Sequence, residues 1–230
     1  GGILDLAIRD KFSVTGTRWE ADTFLLTSTG YGTLELNIGD GAVMKALTLM
    51  DVNADTFSNT GTVASLQQMS IDVSDWIVNS GTLSAGSDMP INAVGNINNR
   101  SGGIINVNGD NDVTASALSN AGTWVASVAG TAGLDTLVWD LASLDNSGSG
   151  KLTLGSEWDL NVTGGIQNRG KVFSEIGTQL LADRFDNSGE FTVSSDAAAV
   201  DSTWSVATDT INSGAGQLIS EGNWDLTTQS

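Results

Sequence analysis

The chain contains no cysteine and no histidine, and proline occurs once, at Pro90. Without cysteine there is no disulfide framework, no thiolate zinc site and no thiol nucleophile. Without histidine the commonest general base and the commonest metal ligand are both missing. Basic residues are scarce: 9 Lys and Arg stand against 27 Asp and Glu, for a net charge of -18. That balance repels phosphate backbones and anionic lipid, which argues against nucleic acid and against adsorption to a membrane surface. No apolar run reaches the roughly 18 residues of a membrane span, so no membrane insertion by this segment is expected. No charged-then-apolar leader opens the chain. The pattern described below starts and stops without caps, so the chain reads as a single segment, 1–230, of something longer.

What is present is glycine, 28 residues of it, with 40% apolar residues at regular spacing. That apolar content separates the chain from disordered acidic sequences. A short phrase, apolar–x–Asn–x–Gly, recurs along it. The phrase occurs as FSNTGTV at Asn59, IVNSGTL at Asn79, LSNAGTW at Asn120 and LDNSGSGKL at Asn146. It continues as IQNRGKV at Asn168, FDNSGEF at Asn187 and TINSGAGQL at Asn212, with a looser copy, INNRSGGI, at Asn99. Successive Asn are separated by 20, 20, 21, 26, 22, 19 and 25 residues.

Apolar residues sit two positions before most of these anchors, at Phe57, Ile77, Ile97, Leu118, Leu144, Ile166 and Phe185. More follow four to six positions after, at Val63, Leu83, Ile104, Trp124, Leu152, Val172, Phe191 and Leu218. Farther upstream come alternating runs: Met69-x-Ile71-x-Val73, Met89-x-Ile91-x-Ala93 and Trp158-x-Leu160-x-Val162. Alternation of period two over so short a run is the mark of a strand with one buried face.

A unit of about 20 residues with two or three strands and no helical period is too short for a helix pair or a propeller blade. One coil of a parallel β-helix fits it. Coils would stack roughly 4.8 Å apart, so about ten make a rod on the order of 50 Å long. Residues 55–230 carry clear repeats, and 1–54 are less regular. There, LLTSTGYGTLELN puts Ser28 in the anchor slot, one coil plus an insertion before Asn59. The stretches 107–116 and 194–202 read as loops bulging from the rod.

Stacked coils turn the same corner, so the anchors are expected to form an amide ladder, each Asn donating to one neighbour and accepting from the other. The ladder members are Asn59, Asn79, Asn99, Asn120, Asn146, Asn168, Asn187 and Asn212. Asn and the Gly two residues on also tolerate left-handed backbone at a sharp corner. The competing role, glycan attachment, has only the acceptor patterns NRS at Asn99 and NVT at Asn161. Trp139, Trp158, Trp204 and Trp224 lie in related phrases and are expected to stack inward. Trp76 has outward parity, and with Tyr31 it is the candidate exposed aromatic for partner contact. The GDND stretch at 109–112 offers Asp110, Asp112 and an amide, a donor set that suits calcium. Neither the glycine-rich calcium nonapeptide nor the EF-hand pattern is present. The remaining acids mostly recur once per coil, as in Trp-Asp-Leu at Asp140, Asp159 and Asp225, which is surface alternation and not one assembled catalytic pair.

The stretch LDNSGSGKLTLGSEWDLNVTGGIQNRGKVFSE resembles the haemagglutinin-type repeats of large Gram-negative exoproteins secreted through two-partner systems. Those include filamentous haemagglutinin adhesins and the stalks of contact-dependent growth-inhibition toxins. Their repeats run Leu-x-Asn-x-Gly-Gly-x-Leu and then Gly-x-Leu-x-Leu. The likeness covers about residues 55–230. It departs where Trp or Met replaces the first Leu of the second phrase, and where Thr, Ser, Lys or Glu replaces the second Gly. The resemblance implies an all-β, right-handed parallel β-helix, exported through an outer-membrane secretion partner and working at the bacterial cell surface. It implies contact with a receptor or glycan on a target cell, no cofactor and no catalytic residue. A receptor- or glycan-recognition module is the second reading, and a polysaccharide-acting β-helix enzyme the third.

Overall fold

The computed structural model describes residues 2–29, 33–126, 136–194, 202–221 and 223–228. All secondary structure in them is β-strand, and every strand pairing is parallel. The chain winds as a solenoid of about ten turns. Each coil has three faces. The long strands, such as Gln68–Asn79, Trp158–Asn168 and Thr178–Asn187, carry two of them. In these strands a register irregularity separates a first part (face A) from a second part ending at the anchor Asn (face B). Short strands of four residues, including Thr62–Ser65, Thr82–Ala85 and Lys151–Leu154, form face C.

Inward positions of the three faces meet in one continuous core. On face A, Ile71, Ile91, Val113, Trp139, Leu160, Leu180 and Trp204 stand above one another. On face B the column is Phe57, Ile77, Ile97, Leu118, Leu144, Ile166 and Phe185. On face C it is Val63, Leu83, Ile105, Trp124, Leu152, Val172, Phe191 and Leu218. All but Leu218 are buried. A single coil has no core of its own; stacking creates one, which is why the alternation repeats in every unit.

Six buried rings form a connected aromatic core through the later coils. Trp124 meets Trp139 at 5.0 Å, and Trp139 meets Trp158 at 5.1 Å. Phe185, Phe191 and Trp204 close the cluster at 4.8 to 5.7 Å, mostly edge to face. That geometry sets ring edges against the electron-rich faces of their neighbours. Trp158 lies in line with Leu137 and Thr178, whereas Trp139 and Trp204 fill the next inward slot of the same face. The related Trp phrases therefore feed two adjacent columns.

Four readings of the sequence need correction. Ser28 does not occupy an anchor slot. It pairs with Ile8 on face A, because Phe24 and Leu26 must stack on Met50 and Val52 to be buried. The anchor slot one coil before Asn59 is Ile38, and the one before that is Val14, both buried. Val14 and Ile38 therefore stand in one column with Asn59. Second, Ile104 points outward, 43% exposed, and Ile105 fills the core. Its coil has two extra residues in the turn after Asn99, so the inward residue lies six positions after the anchor, where Val63 and Leu83 lie four after theirs.

Third, 107–116 is no bulging loop. Val107 ends one strand and Val113 opens the next, and Gly109 and Asp110 hydrogen-bond the coil below. Of 194–202, residues 195–201 lie outside the described residues. Fourth, the glycine of the short Asn-x-Gly turn is not required for left-handed backbone. A Cβ on Gly81 would lie 2.1 Å from the Gly61 carbonyl oxygen of the coil below. Close stacking of successive turns is what forbids a side chain there. Left-handed glycine appears in longer turns instead, at Gly102 (φ 84) and Gly214 (φ 63).

Candidate functional site

At the corner between faces B and C the eight anchors are aligned. Asn59 Nδ2 donates to Asn79 Oδ1, Asn79 to Asn99, Asn99 to Asn120, Asn120 to Asn146, Asn146 to Asn168, Asn168 to Asn187 and Asn187 to Asn212, all at 2.7 to 2.9 Å. The second proton of each donor goes to a main-chain carbonyl of the next coil, from Thr82 O for Asn59 to Gln217 O for Asn187, at 3.0 to 3.3 Å. This double donation fixes which way each amide points, since a flipped group would set oxygen against oxygen. The ladder closes at its lower end, where Asn59 Oδ1 accepts the N–H of Gly61 above the apolar Ile38. At its upper end Asn212 donates to Gly216 O. Asn59 through Asn187 are buried, and Asn212 is exposed. In the folded chain the Asn99 amide is buried and committed to the ladder.

Asn111, in the GDND stretch, points into the core and is fully buried. Its Oδ1 accepts the Trp124 indole N–H at 2.8 Å, its main-chain oxygen accepts that of Trp139 at 2.9 Å, and its Nδ2 donates to Met89 O. The amide is therefore committed and does not join Asp110 and Asp112 in a cation cage. Asp112 Oδ1 accepts the Val138 N–H at 2.9 Å, and the Asp110 N–H donates to Asp88 Oδ1. No group of three or more His, Cys, Asp or Glu suited to a metal ion occurs among the described residues. Nothing in the sequence phrase itself marks Asn111 as a core residue; only its place in the inward column above Met89 does.

Charge is sorted by face. The outward rows of face A contain Asp51, Asp72, Asp112, Asp140, Asp159 and Asp225, interleaved with Asn, Thr and Ser, and neither row has a Lys or Arg. Amides share some of these carboxylates: Asn92 Nδ2 donates to Asp72, and Asn161 Nδ2 to Asp140. Cations sit elsewhere and pair across coils, as in Arg169 with Asp145 and Lys171 with Glu190. Burial, and secondly the nearby Asp72 charge, hold the Asp51 carboxyl above its ordinary pKa of 3.8. A carboxyl raised in this way opposes folding when ionised. Asp51→Asn is expected to raise the melting midpoint at pH 7. The gain should vanish as the pH falls through the folded pKa to below 3.8; thermal melts of both proteins across that range check it.

Of the two candidate contact aromatics, Trp76 lies outward on face B beside Thr56 and is half-buried. Tyr31 lies outside the described residues. The structure adds exposed apolar groups that the sequence reading passed over: Val94, Leu181 and Phe173. Parity relative to the buried Ala93, Leu180 and Val172 identifies all three. A shallow groove follows the bend between faces A and B, with Asn92, Thr114, Asp140 and Asn161 on one side and Val94 and Ala142 on the other. It continues past Asn161 to Leu181 and Asp183. No helix in the described residues is long and apolar enough to cross a membrane. Comparison with family models, with curated proteins and with solved structures finds no match to this chain.

Proposed function

We propose that this chain is a rod segment of a large bacterial exoprotein, exported through an outer-membrane partner, that spaces or attaches the cell surface to another cell. It is not an enzyme in this reading. The observation that carries it is the unbroken amide ladder from Asn59 to Asn212 beside a continuous core. The sequence is devoted to stacking coil on coil, the property a stalk needs, and the outer faces are left free to vary. The likeness to haemagglutinin-type repeats adds the cell-contact setting and a receptor or glycan as partner. A stalk of a contact-dependent inhibition toxin is one form of this reading.

A second reading, recognition of a receptor or glycan by the rod itself, has the groove along Asn92, Asp140 and Leu181 in its favour. Beads coated with the purified chain test the two together. Adhesion predicts attachment to target cells above that of beads carrying an unrelated β-solenoid, and Leu181→Glu or Asp140→Lys should reduce it if the groove is the contact. Attachment equal to the control reduces the segment to a spacer. Release of reducing ends from bacterial or host polysaccharides would sink the non-enzymatic reading.

A further inference from the structure

The core of the solenoid contains polar side chains at the corner that joins face C to face A. At Asn111 the chain satisfies them itself, because that amide and its main-chain oxygen take the indole protons of Trp124 and Trp139. Two coils farther along the arrangement differs. Ser156, Trp158 and Thr178 are each 0% exposed, and Ser156 Oγ, Trp158 Nε1 and Thr178 Oγ1 have no hydrogen-bond partner among the described residues. Trp158 and Thr178 are direct neighbours on adjacent strands, and Ser156 precedes Trp158 by two residues. The nearby hydroxyls are already engaged. Ser174 Oγ donates to Gly177 O, and Ser202 Oγ accepts the Thr178 N–H, both at 3.1 Å.

Buried polar atoms without partners are rare in folded proteins, and three at one corner of two adjoining coils call for a common explanation. We propose that this corner is an internal hydration site, in which an ordered water accepts the Trp158 indole proton and hydrogen-bonds the hydroxyls of Ser156 and Thr178. The chemistry selects the ligand. An indole N–H can only donate, so the occupant must accept, which rules out a metal cation or an ammonium group. The strand neighbours Leu137, Leu160 and Leu180 are apolar and buried, so no charge is present to hold an anion. Water both accepts and donates, and a buried water typically makes about three hydrogen bonds, the number of groups waiting here. The site does for coils at Trp158 what the Asn111 side chain does for those at Trp124.

A high-resolution crystal structure of the chain, together with melts of Ser156→Ala and Thr178→Val, tests this. Expected is solvent density within about 3 Å of Trp158 Nε1. Each substitution should then lower the melting midpoint by about 2–4 °C, because it strips a partner from the bridging water. In a dry corner the same substitutions would delete an unpartnered buried hydroxyl and leave the midpoint unchanged or raised. That result, or a protein atom bonded to the indole nitrogen in the crystal, overturns the proposal.

Discussion

Leu160→Asp is expected to abolish the cooperative fold around the middle of the rod. Leu160 is fully buried between Trp139 and Leu180 on face A, with apolar columns on both other faces. A carboxylate there would be packed between the Trp139 and Leu180 side chains. Burying an unpaired charge costs several kcal/mol or more, comparable to the total stability of a typical domain of about 5–15 kcal/mol. Its neighbour Asp159 faces outward, and Asp159→Asn should leave the protein within about 0.5 kcal/mol of the parent. Far-ultraviolet circular dichroism and thermal melts of the two variants decide the matter. If Leu160→Asp melts like the parent, the assignment of inward and outward residues on face A is wrong.

Asn146→Ala is expected to cost about 3 kcal/mol or more. Asn146 accepts from Asn120 and donates both to Asn168 and to the Lys171 carbonyl. Removing the amide strands one proton of Asn120, the Asn168 oxygen and a main-chain oxygen, in a corner where Asn120, Asn146 and Asn168 are all buried. Each stranded group carries a desolvation cost of about 1–3 kcal/mol, partly relieved where water can enter. Asn212→Ala provides the comparison, since this exposed terminal member accepts from Asn187 and donates only to Gly216. Its loss should be below about 1 kcal/mol. Equal destabilisation at the two positions, measured by denaturant titration, would show that the ladder contributes nothing beyond one local turn.

The same two residues mark what was legible in the sequence. Leu160 belongs to an alternating run, Trp158-x-Leu160-x-Val162, whose period of two identifies an inward face without knowledge of any neighbour. Asn146 belongs to a phrase that recurs eight times, and recurrence at coil spacing implies vertical alignment. Both signals are local or strictly periodic, so they survive in one dimension. Where periodicity lapsed, the sequence misled. Ser28 fits the letters of the anchor phrase but not the register, because burial of Phe24 and Leu26 is a demand made by Met50 and Val52 a coil away. Ile105 and not Ile104 is inward because the turn after Asn99 is two residues longer, which sets the inward residue six positions beyond the anchor instead of four.

The sequence by itself therefore determined the strand period, the coil length, the anchor set and the absence of thiol and imidazole chemistry. Each follows from residue types or from their spacing along the chain. Only the tertiary structure decided which face collects the aspartates, and why glycine follows the anchor. It alone showed that Asn111 and the Ser156–Trp158–Thr178 corner lie in the core. Those outcomes depend on what the coils above and below present at about 4.8 Å. A glycine within one turn is set by a carbonyl of the coil beneath it. A GDND stretch with the composition of a loop turns its middle residue inward because two indoles need an acceptor.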